Sequence, residues 1–416
     1  MPFASGRTVS AYHSISGLAM FKALRSRDYR WFWLGRLAAS ATMQMSSVAQ
    51  GWLVYQLTAS GFALGWVGSF GSVSTLLVSP FSGVLSDRLE RRHILAATRL
   101  GMILNIMVIT LLIVLGRIQI WHLAASGLFS GALMAFMMPA QNALMADIVD
   151  RSTLLNAVSL AAVGMGIMGI FGASGAGLMI EGLGVWSVYG LIAVLYMMAL
   201  YTVLQLPLTG ASNAPRRPMI RDIATGISYI RHEPKLMGVI GLSLARVLLA
   251  MPYGVLLPKY ADEMMGLGAT GLGLLASASG IGSLIAALGV AALGDFKQKG
   301  KLLLVAGIIV GSGLLTLSFV RSLPVAFMLL ILIGMGNNAA MVCNQTLVQV
   351  NCEDQYRGRV MSTYMMMWGL TPLGTLPAGA LADKFGVPGV FAGQGVLLLV
   401  IFLLVWWRMA YLRTLE

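Results

Sequence analysis

The sequence predicts an all-α membrane protein of twelve transmembrane helices in two pseudo-symmetric six-helix halves. Three observations carry that expectation. Of 416 residues, 58% are hydrophobic and only 10% charged, whereas soluble proteins hold roughly a quarter of their residues charged. The apolar residues fall in runs of about 20 to 26, the length that crosses a ~30 Å hydrocarbon core as a helix. Finally, a small residue followed four positions later by an acid closes four of the runs: Gly83/Asp87, Gly177/Glu181, Ala291/Asp295 and Gly379/Asp383. One such pair per three runs is the internal repeat of a chain assembled from four related three-helix units.

Along the chain, Met1–Met20 is polar and lacks the basic region and apolar core of a cleaved signal peptide. Phe21–Phe32 (FKALRSRDYRWF) reads as an interfacial segment leading into the first span. The twelve spans are expected at 32–57, 61–86, 94–115, 122–146, 154–180, 186–206, 236–258, 271–293, 302–320, 325–349, 360–382 and 388–407. The longest break in hydrophobicity, 207–235, holds Pro207, Pro215 and Pro218 and then the amphipathic stretch Met219–His232. It is expected to be a linker with an interfacial helix. The chain therefore divides into an N-terminal half (1–206), the linker (207–235) and a C-terminal half (236–416).

The net charge of +13 is a topology signal. Of 28 basic residues, 21 lie in the termini and even-numbered loops, and only Arg117, Lys259, Arg321 and Lys384 lie on the opposite side. By the positive-inside rule both termini are cytoplasmic, in a bacterial inner membrane. No aromatic–basic module points to nucleic acid. Cys343 and Cys352 suit neither a disulfide nor a zinc site. No hydrolase elbow, phosphate loop, metal-binding His pair or nucleotide fold is present, so no enzymatic activity and no cofactor are expected.

The stretch GVLSDRLERRHIL (Gly83–Leu95) lines up with AALGDFKQKGKLL (Ala291–Leu303), and GLMIEGLGV (Gly177–Val185) with GALADKFGV (Gly379–Val387), at offsets of 208 and 202 residues. The first resembles the loop 2–3 motif of the major facilitator superfamily. That resemblance, which covers the whole chain, implies the major facilitator fold and alternating access. It also implies a conformational latch made by Gly83, Asp87, Arg88, Arg91, Arg92 and, in the second half, Asp295. Within the superfamily, RDYRWFWLGRL, WLVYQLTAS, PAQNALMADIV and YRGRVMS are similar to the branch of macrolide-efflux proteins and the enterobactin exporter. This implies proton-driven efflux of small molecules. Gly164, Gly166, Gly169, Gly172, Gly175 and Gly177 allow close packing of span five. They also resemble a degenerate antiporter motif, with Ala173 where that motif has Pro.

Two departures bear on mechanism. Span four lacks the Arg of many drug:proton antiporters, and no Asp, Glu or His falls near the centre of any span. A proton-coupled carrier needs a titratable group reachable from both sides, which leaves Asp147, Asp150, Asp262 and Glu263 near the mouths, or protons carried by the substrate. Arg246, mid-way along span seven, has no carboxylate at its depth; it is either a substrate-anion ligand or a structural arginine satisfied by carbonyls. Arg36 is expected to snorkel to the interface, and Arg99 to pair with Asp147 or Asp150.

In the superfamily, spans one, four, seven and ten line the cavity. Their polar residues here are Gln44, Ser47, Gln50, Gln141, Asn142, Ser243, Arg246, Tyr253, Asn337, Asn338, Asn344 and Gln345. The substrate-binding set is expected to comprise Arg246, Gln44, Gln50, Tyr253, Asn337, Asn338 and Gln141, with the remainder as glue between helices. The expected function is export of a small amphipathic molecule, a siderophore-like anion or a drug, by a monomer using proton antiport. The alternatives are a lysophospholipid transporter, an importer, and a non-transporting sensor or assembly subunit.

Overall fold

A computed structural model describes residues 22–86, 89–150, 153–208, 219–293 and 296–415. Among these residues all regular structure is helical. The first six spans are α1 (Arg27–Thr58), α2 (Gly61–Ser86), α3 (Arg91–Val114), α4 (Ile120–Ile148), α5 (Leu154–Leu183) and α6 (Val185–Leu204). The linker contributes α7 (Met219–His232), at the position of the expected amphipathic helix. There follow α8 (Pro234–Leu249), α9 (Pro252–Met265), α10 (Gly268–Leu293), α11 (Lys299–Leu317), α12 (Leu323–Val350), α13 (Asp354–Met366) and α14 (Pro372–Arg408).

Ten stretches among the described residues have the length and hydropathy to cross a membrane. One of them, Asp354–Arg408, holds two spans, because the backbone of α14 leaves the helix at Gly386 (φ 75°, ψ 160°). The longer and more polar α1 is the remaining span, giving twelve.

Span seven departs from its expected limits of 236–258. It runs from Pro234 to Met265 and is interrupted where α8 ends at Leu249 and Pro252 opens α9. Proline lacks the N–H that a continuous helix needs from it. The span passes through Lys259, Asp262 and Glu263, where charge suggested an end. Lys259 is paired, with Glu263 at 3.2 Å and Asp383 at 2.8 Å, so the helix carries this buried lysine without leaving its charge unpartnered.

Within the first six spans α1 packs on α5 and α6, α2 on α4, and α3 on α4 and α6; within the last six α10 packs on α12, and α11 on α12 and α14. The halves meet chiefly through two pairs, α5 with α10 and α2 with α14, with smaller contacts of α1 and α2 on α9 and of α1 on α10. Among the described residues, the hydrogen bonds that join the halves gather toward the membrane face opposite the termini, hereafter the far face. They involve residues 55–69, 177, 181, 259–270, 375 and 383.

Candidate functional site

Arg246 sits about three turns into α8, 3% exposed. Its Nη1 donates to the Asn337 carbonyl of α12 at 3.5 Å, and its guanidinium lies 5.9 Å from the centre of the Trp368 ring. The Nε and Nη2 donors make no well-aligned hydrogen bond, with only the Tyr364 hydroxyl in loose reach of the guanidinium, and the side-chain oxygens of Asn337 and Asn338 are unpaired among the described residues. Among the described residues no carboxylate pairs with Arg246. Nε and Nη2 form one edge of the guanidinium, the two-donor fork that meets a carboxylate or phosphate. The Tyr364 hydroxyl stands beside this group. Tyr253, on the other side of the Pro252 break, donates to Ser279 Oγ at 3.3 Å and neighbours Asn337.

The structure thus gathers Arg246, Tyr253 and Asn337, with Asn338 next in sequence. It adds Tyr364 and Trp368, which the sequence reading missed. They lie where span eleven breaks between α13 and α14, at a 3-10 turn, Met367–Leu370; the run MMMWGLTP, with its Gly and Pro, is the signal that marks it. Gln44 and Gln50 are half-buried on α1, and Gln141 is buried on α4. None of the three shares a hydrogen bond with the Arg246 cluster among the described residues. Asn344 ties α12 to α8 through Val239 O at 2.8 Å, the role of interhelical glue.

Of the expected latch, Asp87, Arg88 and Asp295 lie outside the described residues, and Gly83 falls within α2. Arg91 pairs with Asp147, and Arg92 donates to the carbonyls of Leu206 (2.8 Å) and Leu204 (2.7 Å) at the end of α6. In this conformation both bind within the first six helices. The expected pairing of Arg99 with Asp147 or Asp150 does not occur. Asp147 is held by Arg91, at its own level, whereas Arg99 lies about 12 Å deeper along α3 and its guanidinium stacks 5.9 Å from the Tyr196 ring.

The far face carries a seal built from the other two repeat acids. Asp383, between the last two spans, accepts hydrogen bonds from Ser60 Oγ (2.6 Å), Gly61 N–H (2.6 Å) and Phe62 N–H (2.9 Å). It thereby caps the N-terminus of α2, a helix of the opposite half, and satisfies donors that the helix itself leaves open. Lys259 joins it at 2.8 Å and also donates to the Ala59 carbonyl at 3.2 Å. Glu181 does the converse: from the end of α5 it accepts from Thr270 N–H at 3.2 Å, in the first turn of α10. Tyr55 donates to Asp262 at 3.0 Å across the same boundary.

The small residue of each motif allows the approach. A Cβ on Gly177 would stand 2.6 Å from the Ala269 carbonyl oxygen and 2.9 Å from Gly273 Cα, and one on Gly379 would strike the Gly61 backbone. Gly177→Val is therefore expected to hold the far face open. Its measure is modification of a Thr375→Cys probe, buried between α2 and α14 in the parent, by a membrane-impermeant thiol reagent. An unchanged rate would refute the close-approach argument.

A twelve-span bundle with a buried cationic site and a seal between its halves is the architecture of an alternating-access transporter, and the comparisons with known proteins agree. The profile of the transmembrane secretion effector family matches residues 18–414. The chain belongs to that family of the major facilitator superfamily: it is a membrane transporter and not an enzyme. It is 26% identical to the multidrug efflux pump Tap of Mycolicibacterium fortuitum over 378 residues, covering 88% of this chain and 91% of the pump. It is 23% identical to the staphyloferrin A transporter of Staphylococcus aureus, covering 85% and 89%. In fold it is similar to the crystal structure of the nucleoside transporter NupG, with a TM-score of 0.75 at 13% identity over 91% of this chain and 99% of that one.

Proposed function

We propose that this transporter exports a small amphipathic anion from the cytoplasm across the bacterial inner membrane, as a monomer driven by proton antiport. The observation that carries the reading is the free Nε–Nη2 edge of Arg246, buried without a carboxylate. An unpaired guanidinium at membrane depth is costly, and a substrate's acidic group offsets that cost when it binds. Asn337, Asn338 and Tyr253 supply polar contacts beside it, and Trp368 an aromatic face for the apolar body. The names of the similar proteins, a multidrug efflux pump and a siderophore transporter, support both halves of this reading. From the first six helices, Gln44, Gln50 and Gln141 complete the substrate surface in this reading.

Both termini face the cytoplasm in this reading, so the far face is periplasmic and the conformation described is closed to the periplasm. The proton acts at the far-face acids, because the spans hold none at their centres. The latch of Asp87, Arg88, Arg91, Arg92 and Asp295 engages in the opposite conformation.

The test is reconstitution in liposomes under an imposed pH gradient, with lumenal pH followed as a catecholate siderophore, a macrolide, a cationic dye and a lysophospholipid are added in turn. Proton flux with the catecholate alone is the expected result. Flux with the dye or macrolide alone would reassign the chain as a cation or neutral-drug exporter, and flux with the lysophospholipid as a lipid transporter. Movement of labelled catecholate without proton flux would refute antiport.

A further inference from the structure

Two more arginines lie inside the first six helices without a counter-charge among the described residues. Arg99 on α3 is 2% exposed, and its Nε and Nη1 have no partner. Arg36 on α1 is half-buried. Its Nη2 meets only the Met165 sulfur at 3.4 Å, and its Nε and Nη1 are likewise buried without partners. The expected snorkelling of Arg36 would have placed these donors in water. The two guanidiniums lie close enough to repel one another, and no carboxylate is among the charges acting on either. Like charges buried together without an anion are unfavourable on both counts, desolvation and repulsion.

The position of Arg36 says where an anion would come from. Arg36, Met43 and Ser47 are spaced by seven and four, one face of a helix. Met43 is 60% exposed and Ser47 is exposed. At its far end α1 touches α9 and α10 of the other half. Nearer the termini this face is therefore the side of the first half turned to the gap between the halves.

We propose that Arg36, backed by Arg99, is a second oxyanion subsite, so that the transported molecule carries two acidic groups, one taken by Arg246 and the other by Arg36. This rests on the reading of Arg246 as the anion ligand and extends it from an anion to a dianion. Each half then grips one end of the substrate. A molecule with a single acid engages only one half and lacks the bridging contact that ties substrate to the conformational change.

The test is calorimetric titration of the full-length protein in nanodiscs of zwitterionic lipid, blanked against empty discs. The probes are suberate, with a carboxylate at each end of a flexible chain, and octanoate, with one. Suberate is expected to bind about tenfold more tightly, the effect of one more charge-assisted pair. Arg36→Gln and Arg99→Gln are each expected to erase most of that preference. Equal affinities in the parent, or an undiminished preference in Arg36→Gln, would overturn the proposal. If Arg36→Gln does not fold, Arg36→Lys, which loses the planar fork, is read instead, and an unchanged preference again overturns it.

Arg246→Ala separates the two readings. Loss of octanoate binding in that variant supports the Arg246 site whatever becomes of Arg36. Octanoate binding that survives both Arg246→Ala and its combination with Arg36→Gln removes both sites, and binding that survives the first but is lost in the combination supports Arg36. If doping the discs with phosphatidylglycerol weakens suberate binding in the parent but not in Arg36→Gln, the occupant is a lipid headgroup, and the dianion proposal falls.

Discussion

Arg246→Ala is expected to abolish binding and transport of anionic substrates while leaving the melting temperature of the substrate-free protein unchanged or raised. The two parts of the result have one cause. In the substrate-free protein the guanidinium has a single long hydrogen bond, to the Asn337 carbonyl at 3.5 Å, and two donors without a well-aligned partner. Removing it takes away a buried charge that nothing neutralises, so stability does not suffer. With substrate present, the same change leaves an acidic group buried without its partner, which costs about 3–5 kcal/mol, or roughly two to four orders of magnitude in affinity. A structural arginine gives the reverse pattern. A lower melting temperature with unchanged uptake of labelled anion by proteoliposomes would assign Arg246 to packing.

A comparable effect is expected at Asp383, on conformation rather than on affinity. Asp383→Ala removes the cap of α2 and the partner of Lys259 together, whereas Asp383→Asn keeps most of the cap and removes the charge. A helix cap contributes about 0.5–2 kcal/mol and a hydrogen bond to a charged group about 1.5–3 kcal/mol. The alanine variant is therefore expected to shift the population toward an open far face by about two orders of magnitude, and the asparagine variant by about one. Distances between spin labels at Leu57 and Leu381, both exposed near the far face, report the shift. Glu181→Gln is expected to act in the same direction and more weakly, since Glu181 makes one backbone contact across the boundary where Asp383 makes two. Distance distributions that match the parent in Asp383→Ala would remove the seal from the mechanism.

The spans were legible because hydrocarbon imposes one rule on every residue within it, and a run of apolar residues satisfies that rule locally. The four repeat acids were legible as a pattern for the same reason. Their partners were not. Asp383 and Gly61 are separated by 322 positions, and no local spacing says that a carboxylate from one half caps a helix of the other. The expected latch accordingly took in Asp87 and Asp295 and left out Glu181 and Asp383, although all four belong to one repeat.

Span seven was placed too short for a related reason. Lys259, Asp262 and Glu263 read as the edge of the membrane, but pairing with distant groups lets the helix continue past them. Arg99 was matched with Asp147 by proximity in sequence pattern, and the depth of each residue on its own helix decided otherwise. Around Arg246 the sequence named the arginine, Tyr253 and Asn337. Trp368 and Tyr364 escaped because a broken helix brings its residues to places that a regular span would not.

The seal at the far face is made of hydrogen bonds near the water boundary, and that choice of material governs how fast it can part. An apolar plug of the same strength must expose hydrocarbon surface to water each time it opens. The groups on Ser60, Gly61, Phe62, Lys259 and Asp383 instead exchange protein partners for water, and a typical hydrogen bond changes by only about 1 kcal/mol in such an exchange. The glycine crossings beneath bring backbone against backbone at Gly177 with Gly273 and at Gly379 with Gly61. The closed conformation can thus be well defined and still short-lived, as a carrier that opens and shuts once for every molecule it moves requires.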